Sequence, residues 1–274
     1  SHRTLQALMA RDYSGKTALI TGASSGLGVE FANQLAARGA NLVLVARRKN
    51  RLQAVADAVK LEYKVDVQVV VADLSEVGAA DKLFKSLARK KVSVDILVNN
   101  AGFGTFGKFE NEPIDKIGEE LRLNISTLVE LSRLALPSML KKNDGVIINV
   151  ASTAAYQPVP FMAVYAATKS FVLSFTEALW GELFGTNVTA MALSPGGTKT
   201  EFFEVASNGK APDGLGKLQT VEEVITVAMN ALDKKTAPPS VISGASNAAL
   251  AFSGRFVPRQ LLIKVARKMF ESRS

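Results

Sequence analysis

The sequence predicts an α/β fold, a single domain built on a doubly wound parallel sheet with helices on both faces. Three observations lead there. From Lys16 onward, short runs rich in Val, Ile and Leu alternate with longer segments of helical period, the pattern of repeated βαβ units. The runs are nearly continuous in apolar residues, as strands covered on both faces must be. A chain of 274 residues, 47% of them hydrophobic, is long enough to bury one large core.

Taken in order, the predicted strands are 16–21, 41–46, 67–72, 94–99, 145–151 and 187–193. Between them, helical period covers 26–38, 49–62, 75–90, 117–141 and 162–184. In the last of these, Val172, Phe175, Leu179 and Leu183 form one apolar stripe. There is no low-complexity block and no repeat beyond the βαβ alternation. Residues 1–8 are expected to be an expression remnant, with Met9 as the native start and 9–254 as the folded domain. Residues 199–218 mix Gly, Pro and Asn with a short apolar piece and read as a mobile loop that closes over a ligand as a lid. The final segment, 255–274, is a basic amphipathic extension with net charge +5.

Composition excludes several chemistries. Without cysteine there is no disulfide, thiolate zinc site or thiol nucleophile. The one histidine, His2, stands at the extreme N-terminus, so a histidine base, a serine–histidine pair and a two-histidine metal site are not expected. No run of about 18–20 apolar residues suggests a membrane-spanning helix, and a cytoplasmic protein is expected. Lys and Arg number 33 against 25 Asp and Glu, giving +8. That excess alone does not choose among nucleic acid, an anionic membrane and an acidic small molecule. Nucleic acid is not expected, because no recognition motif accompanies the charge.

The first chemical signal follows the first strand: Thr21-Gly22-Ala23-Ser24-Ser25-Gly26-Leu27-Gly28, then a helix. Gly22 can take a turn that a side chain would obstruct, Gly26 lets backbone approach a pyrophosphate, and Gly28 allows close helix–strand packing. The helix N-terminus offers unpaired N–H groups to the anion. In this strand–turn–helix context the motif reads as the phosphate site of a dinucleotide-binding Rossmann fold. The second strand ends Val45-Ala46-Arg47-Arg48-Lys49, with no carboxylate for a ribose 2′-hydroxyl. Guanidinium groups there suit a 2′-phosphate, favouring NADP(H), against the alternative of a solvated charge run. Asp73 with Leu74, and Asn100-Ala101-Gly102, end the third and fourth strands, where cofactor contacts are expected. Asp73 would serve equally well as a helix cap.

The second signal is Ser152 with Tyr165 and Lys169. Spaced four apart on a helix, Tyr165 and Lys169 share one face. A nearby ammonium draws a phenol toward a working acid–base range.

These residues together resemble the short-chain dehydrogenase/reductase family. Thr21–Gly28, Asn99–Gly102, Asn124, Ser152, Tyr165-Ala-Ala-Thr-Lys169 and Pro195-Gly196 match its motifs in order and spacing, over about residues 14–200. The resemblance implies that Tyr165 is the acid–base and that Lys169 lowers its pKa and holds the nicotinamide ribose. It further implies that Ser152 binds the substrate oxygen and that Asn124 supports a water-linked proton relay to the lysine. Pro195, Gly196, Thr198 and Thr200 would fix the carboxamide, although Val or Ile often stands where this chain has Thr198. The family commonly pairs two long helices, implying a homodimer or homotetramer.

Phe103, Phe106, Tyr156, Phe161, Met162, Phe202 and Phe203 surround the inferred site in sequence, so a hydrophobic carbonyl or secondary alcohol is the expected substrate. For residues 260–270, a peripheral membrane contact, a cap on the pocket and ordinary packing are the alternatives. An idle NADP(H)-binding sensor or scaffold is the alternative function.

Overall fold

The computed structural model describes residues 11–198, 218–254 and 256–271. Its seven parallel strands are β1 (Thr17–Thr21), β2 (Asn41–Ala46), β3 (Val67–Val71), β4 (Ile96–Asn99), β5 (Gly145–Val150), β6 (Val188–Ser194) and β7 (Ser240–Ile242). They lie in the order β3-β2-β1-β4-β5-β6-β7. The chain winds outward from β1 to β3, then crosses back to β4 and winds the other way. Among the described residues the helices are α1 (Gly26–Ala37), α2 (Lys49–Tyr63), α3 (Ala79–Arg89), α4 (Ile114–Leu121), α5 (Leu128–Lys142), α6 (Ala163–Glu182), α7 (Val221–Leu232), α8 (Ala245–Ser253) and α9 (Arg259–Glu271).

Successive strand residues point to opposite faces, and both faces are apolar. Ala18, Ile20, Leu42 and Leu44 meet Phe31 and Leu35 of α1, Leu52 of α2, and Val224 and Met229 of α7. Leu19, Val43 and Leu97 meet Leu83 and Leu87 of α3, Leu131 and Met139 of α5, and Leu179 of α6. The near-continuous hydrophobicity of the strands is thus the direct requirement of a sheet with a core on each side.

The departures from expectation have local causes. The seventh strand, β7, has only three residues, too few to show a pattern. The predicted helix at 75–90 begins at Ala79, because Asp73 and Ser75 form a turn and Gly78 takes a positive φ of 75°. The helix predicted from 117 begins at Ile114, right after Pro113, and α4 joins α5 through a π-helical turn, Arg122–Thr127. A capping box opens α7. The Thr220 hydroxyl accepts from the Glu223 N–H at 3.1 Å, and the Thr220 N–H donates to Glu223 Oε2 at 2.8 Å.

A buried polar chain crosses the sheet where it supports the site. Asn99 Nδ2 donates to Asn149 Oδ1 (2.9 Å) and Ser132 Oγ (3.1 Å), and Asn149 Nδ2 donates to Thr176 Oγ1 (2.9 Å). It ties β4 and β5 to α5 and α6. Asn149→Ala should remove one hydrogen-bond partner each from Asn99 and Thr176 and lower stability by about 1–3 kcal/mol, read as a fall in thermal midpoint without change in secondary structure.

Candidate functional site

The strand order reverses between β1 and β4, and at their carboxyl ends the loops part to form a cleft, the place where open α/β sheets bind ligands. It continues as one cavity of about 600 Å³. One end is built for phosphate. Gly22 has φ +65°, so the chain leaves β1 in a turn that other residues adopt with strain. A Cβ on Gly28 would lie 2.2 Å from the Gly22 carbonyl oxygen, so glycine there is what lets α1 start against the turn. Gly28 does not line the cavity. It stands behind Gly22 in the packing role expected of it, while Ser24, Ser25, Gly26 and Leu27 face the space. Ser25, at the N-cap of α1, makes no side-chain cap bond, and the first turn carries no acid. The first amides of α1 are therefore available to an anion.

Beside this turn, Arg48 donates to Ser25 Oγ at 2.9 Å and to Ser24 Oγ at 3.3 Å, and Arg47 lies 3.8 Å from Asp73 Oδ2. Both arginines line the cavity. Asp73 Oδ1 accepts from the Ser75 N–H (2.9 Å) and hydroxyl (2.6 Å), which makes it the organiser of a turn and not the cap of α3. Partial burial would raise its pKa, but the bonds from Ser75 outweigh that and, with Arg47, keep it low. Leu74 lines the cavity beside it. The Asn100 amide reaches back to the Thr21 and Gly22 carbonyls at 3.0 and 3.3 Å, pinning β4 to β1, and Ala101 and Gly102 follow as wall. These features fit a dinucleotide phosphate, with the guanidinium groups of Arg47 and Arg48 beside it in the lining.

At the other end, α6 places Tyr165 and Lys169 one turn apart, 8% and 5% exposed. Lys169 Nζ lies 5.7 Å from the Tyr165 ring centroid and donates to the Val150 carbonyl at 2.7 Å. Ser152 stands at the end of β5 as the N-cap of the turn Thr153–Tyr156 and accepts from the Ala154 N–H. Its hydroxyl also hydrogen-bonds Tyr165. Burial pushes the Tyr165 phenol above its ordinary value, with Ser152 pulling it back and Glu120 pushing it further. The sequence suggests a phenol lowered by Lys169; here burial prevails. Burial also lowers Lys169 to about 8, against an opposing pull from Glu120.

Asn124 sits in the π-helical turn, a deviation that frequently marks functional sites. It lies behind the cavity wall, 1% exposed, holding the Phe103 backbone at both its N–H (3.2 Å) and C=O (2.8 Å) and donating to Thr168 Oγ1 at 3.1 Å. Pro195, Gly196 and Thr198 line the cavity, and the Thr198 hydroxyl donates to the Gly196 carbonyl. Thr200, Phe202, Phe203 and all but residue 218 of the expected lid lie outside the described residues.

Phe103, Tyr156 and Met162 line the apolar end. Phe106 and Phe161 do not. They pair with each other at 6.4 Å, and Phe106 packs on the cluster of Val159, Met162, Tyr165 and Ala166. Sequence reasoning missed Leu250 of α8 in the lining. The basic extension sends Leu262, Val265 and Ala266 of α9 into the wall, so the geometry supports the pocket-capping alternative for that segment. Sequence reasoning also missed Glu120, the buried carboxyl of α4, which carries no sequence signal because the apolar Ile114 and Leu121 of the same helix are exposed.

Among the described residues, no cluster of metal-ligating side chains occurs, and no helix is long and apolar enough to cross a membrane. Comparison with known proteins matches residues 16–211 to the short chain dehydrogenase family model. A short chain dehydrogenase of Pseudocercospora fijiensis is 38% identical over 192 residues, 68% of this chain and 61% of that one. The chain thus spans less than two thirds of that relative. A solved 7β-hydroxysteroid dehydrogenase superposes with a TM-score of 0.83 at 29% identity, covering 94% of this chain and 98% of the other. A short-chain dehydrogenase from Sphingobium yanoikuyae, solved with NADPH, gives 0.79 at 32% identity, covering 90% and 94%. Gly28→Val should force α1 away from Gly22 and weaken NADPH binding by about tenfold or more, measured by calorimetric titration.

Proposed function

Because the chain belongs to the short-chain dehydrogenase family of oxidoreductases, we propose that it moves a hydride between NADP(H) and a hydrophobic carbonyl or secondary alcohol, with Tyr165 as the acid–base. The observation that carries this reading is a single cavity in which a phosphate-binding turn opens onto a buried Tyr165–Lys169–Ser152 group with apolar walls. Bound along this cleft, NADPH would supply the hydride that reaches the substrate carbonyl carbon.

The chain's own residues supply the rest. The apolar walls bring the carbonyl to Ser152 and Tyr165 and exclude water, and orientation of this kind is a large part of catalysis. Ser152 donates a hydrogen bond to the carbonyl oxygen and stabilises the charge that grows there. Tyr165, kept protonated by burial, gives that oxygen its phenolic proton, so the site is poised for reduction. Lys169, cationic at neutral pH with a value of about 8, stabilises the phenolate that results and would hold the ribose hydroxyls. Arg47 and Arg48, both in the lining, would take the 2′-phosphate; the choice of NADP(H) is supported by the NADPH complex of the Sphingobium relative. A hydrophobic substrate is supported by Phe103, Met162, Leu250 and Leu262 in the wall, and by the hydroxysteroid dehydrogenase likeness. The half-exposed Leu134 and Leu140 of α5 and Phe171 of α6 support assembly into a homo-oligomer.

Loss of NADPH absorbance with hydrophobic ketones and 3-oxoacyl thioesters, and its appearance from NADP+ with secondary alcohols, tests the reaction class. No turnover across the panel would leave the idle NADP(H)-binding module as the better reading. Tyr165→Phe should lower kcat for the best ketone by about 100-fold or more while NADPH affinity stays unchanged; full turnover would remove Tyr165 from its role. Arg48→Asp should shift the NADPH-over-NADH preference in kcat/KM by about 10–100-fold toward NADH, the loss of a charge-assisted hydrogen bond.

A further inference from the structure

The family match ends at residue 211, and the chain beyond it builds α8 and α9 at the mouth of the cavity. α8 packs on β7 and on the turn Thr153–Tyr156, and α9 turns Leu262 and the buried Ala266 into the apolar wall. Leu250 and Val265 also line the cavity, yet they are 62% and 51% exposed, so they form its open rim. Outward from the rim, Leu261 is 51% exposed, and Phe256, in the connection between the two helices, 88%. Single apolar side chains are ordinary on a protein surface, but a group of them around the entrance to an apolar cavity is the signature of an interaction site. Cations are set among them. Leu261, Lys264, Val265 and Lys268 follow one another at i, i+3, i+4 and i+7, so they share one face of α9, and all four are exposed. Segment 255–274 carries +5 of the chain's +8, and its one acid, Glu271, pairs with Arg267 at 2.9 Å.

We propose that this rim of α8 and α9 docks on an anionic lipid bilayer and sets the cavity mouth against it, so that the hydrophobic carbonyl enters from the lipid phase. The entry route rests on the reductase reading above; the docking does not. Charge and shape complement such a surface together. Phe256, Leu261 and the outer parts of Leu250 and Val265 enter the boundary of headgroups and acyl chains, as the apolar face of an interfacial helix does. The stems of Lys264 and Lys268 lie along that apolar surface while their ammonium groups reach the lipid phosphates. A second copy of the chain is a poorer occupant, because a two-fold contact would set Lys264 and Lys268 against the same cations of the partner. Nucleic acid offers phosphates but nothing to cover the exposed apolar side chains. The contact is peripheral, since no described helix is long and apolar enough to cross a membrane. Docked in this way, the protein covers apolar surface that it otherwise leaves in water, and a poorly soluble substrate passes from lipid to apolar wall without crossing water.

The test is co-sedimentation of the full chain with vesicles of phosphatidylcholine, alone or mixed with phosphatidylglycerol. Binding to the mixed vesicles should be stronger by about tenfold or more and should fall in concentrated salt. Lys264→Glu combined with Lys268→Glu should remove that gain, and Phe256→Ser combined with Leu261→Ser should weaken binding by about tenfold, with turnover of a water-soluble ketone unchanged in both. The chain has no cysteine, so Leu261→Cys accepts a single polarity-sensitive dye, with Lys60→Cys on the exposed side of α2 as the control. Emission should shift to the blue on mixed vesicles at position 261 and stay fixed at position 60. Equal binding to the two kinds of vesicle, an unshifted dye at position 261, or variants that bind as the wild type does would overturn the docking. Variants that lose oligomeric mass in light scattering while keeping vesicle binding would assign the face to a second copy and overturn it too. For the entry route, KM for a long-chain ketone should be about tenfold lower in mixed than in neutral vesicles at unchanged kcat, and an equal KM overturns it. Failure of the reductase reading would instead show as no turnover of any ketone, while sedimentation and dye emission, which need no turnover, still decide the docking.

Discussion

Lys169 keeps an ammonium group on a side chain only 5% exposed, and a cation withdrawn from water must find acceptors or surrender its proton. The Val150 carbonyl, at the end of β5, accepts from it at 2.7 Å. Glu120 supplies a compensating charge that raises its pKa against the lowering effect of burial. Each partner has to be brought to the lysine by a different element. The parallel pairing of β5 with β4 and β6 fixes Val150. The packing of α4 on α6 fixes Glu120. Tyr165, one turn back on the same helix, inherits its position from the lysine it precedes.

The two ends of the cavity are held in register by groups that never touch the space itself. Asn99, Asn149, Ser132 and Thr176 bind β4 and β5 to the helices beneath the catalytic pair. Asn100 joins β4 to the turn that follows β1, so the phosphate site and the chemical site share a strand as their common reference. At the far end, an Asn247 side chain presses where a Cβ on Gly196 would stand, 2.2 Å from its Nδ2. Thus α8 also closes on the β6 loop, and α9 adds Leu262 and Val265 to the apolar wall.

Legibility in the sequence followed length and local context. The first six strands were readable because burial on both faces demands long apolar runs, whereas β7, at the sheet edge with three residues, carries no such demand. The Thr220-x-x-Glu223 capping box was a readable start for α7 that hydrophobic period alone did not single out. In the site, the glycine turn, Arg48, Ser152, Tyr165 and Lys169 could be placed because their chemistry is tied to strand ends and helical spacing. Gly28 and Asn124 act from behind the cavity wall, a depth that sequence spacing does not fix. Phe106 and Phe161 failed for the same reason: their neighbours in sequence face the cavity, while they face each other. Glu120 was hidden because a carboxyl on a helix reads as solvated surface until tertiary packing covers it.

That covering is what makes the chemical end more than a phenol beside a cation. One cause, burial, acts on three groups and drives each toward its neutral form: Tyr165 up, Glu120 up to about 7 and Lys169 down to about 8. For the phenol this secures the proton that reduction spends. For the other two it brings a carboxyl and an amine, ordinarily about six units apart in aqueous peptides, to neighbouring values. Mutual attraction keeps either from being driven fully neutral, since each opposes the shift that burial imposes on the other. The chemical end is thus tuned by burial and without histidine, in a chain whose only imidazole is His2.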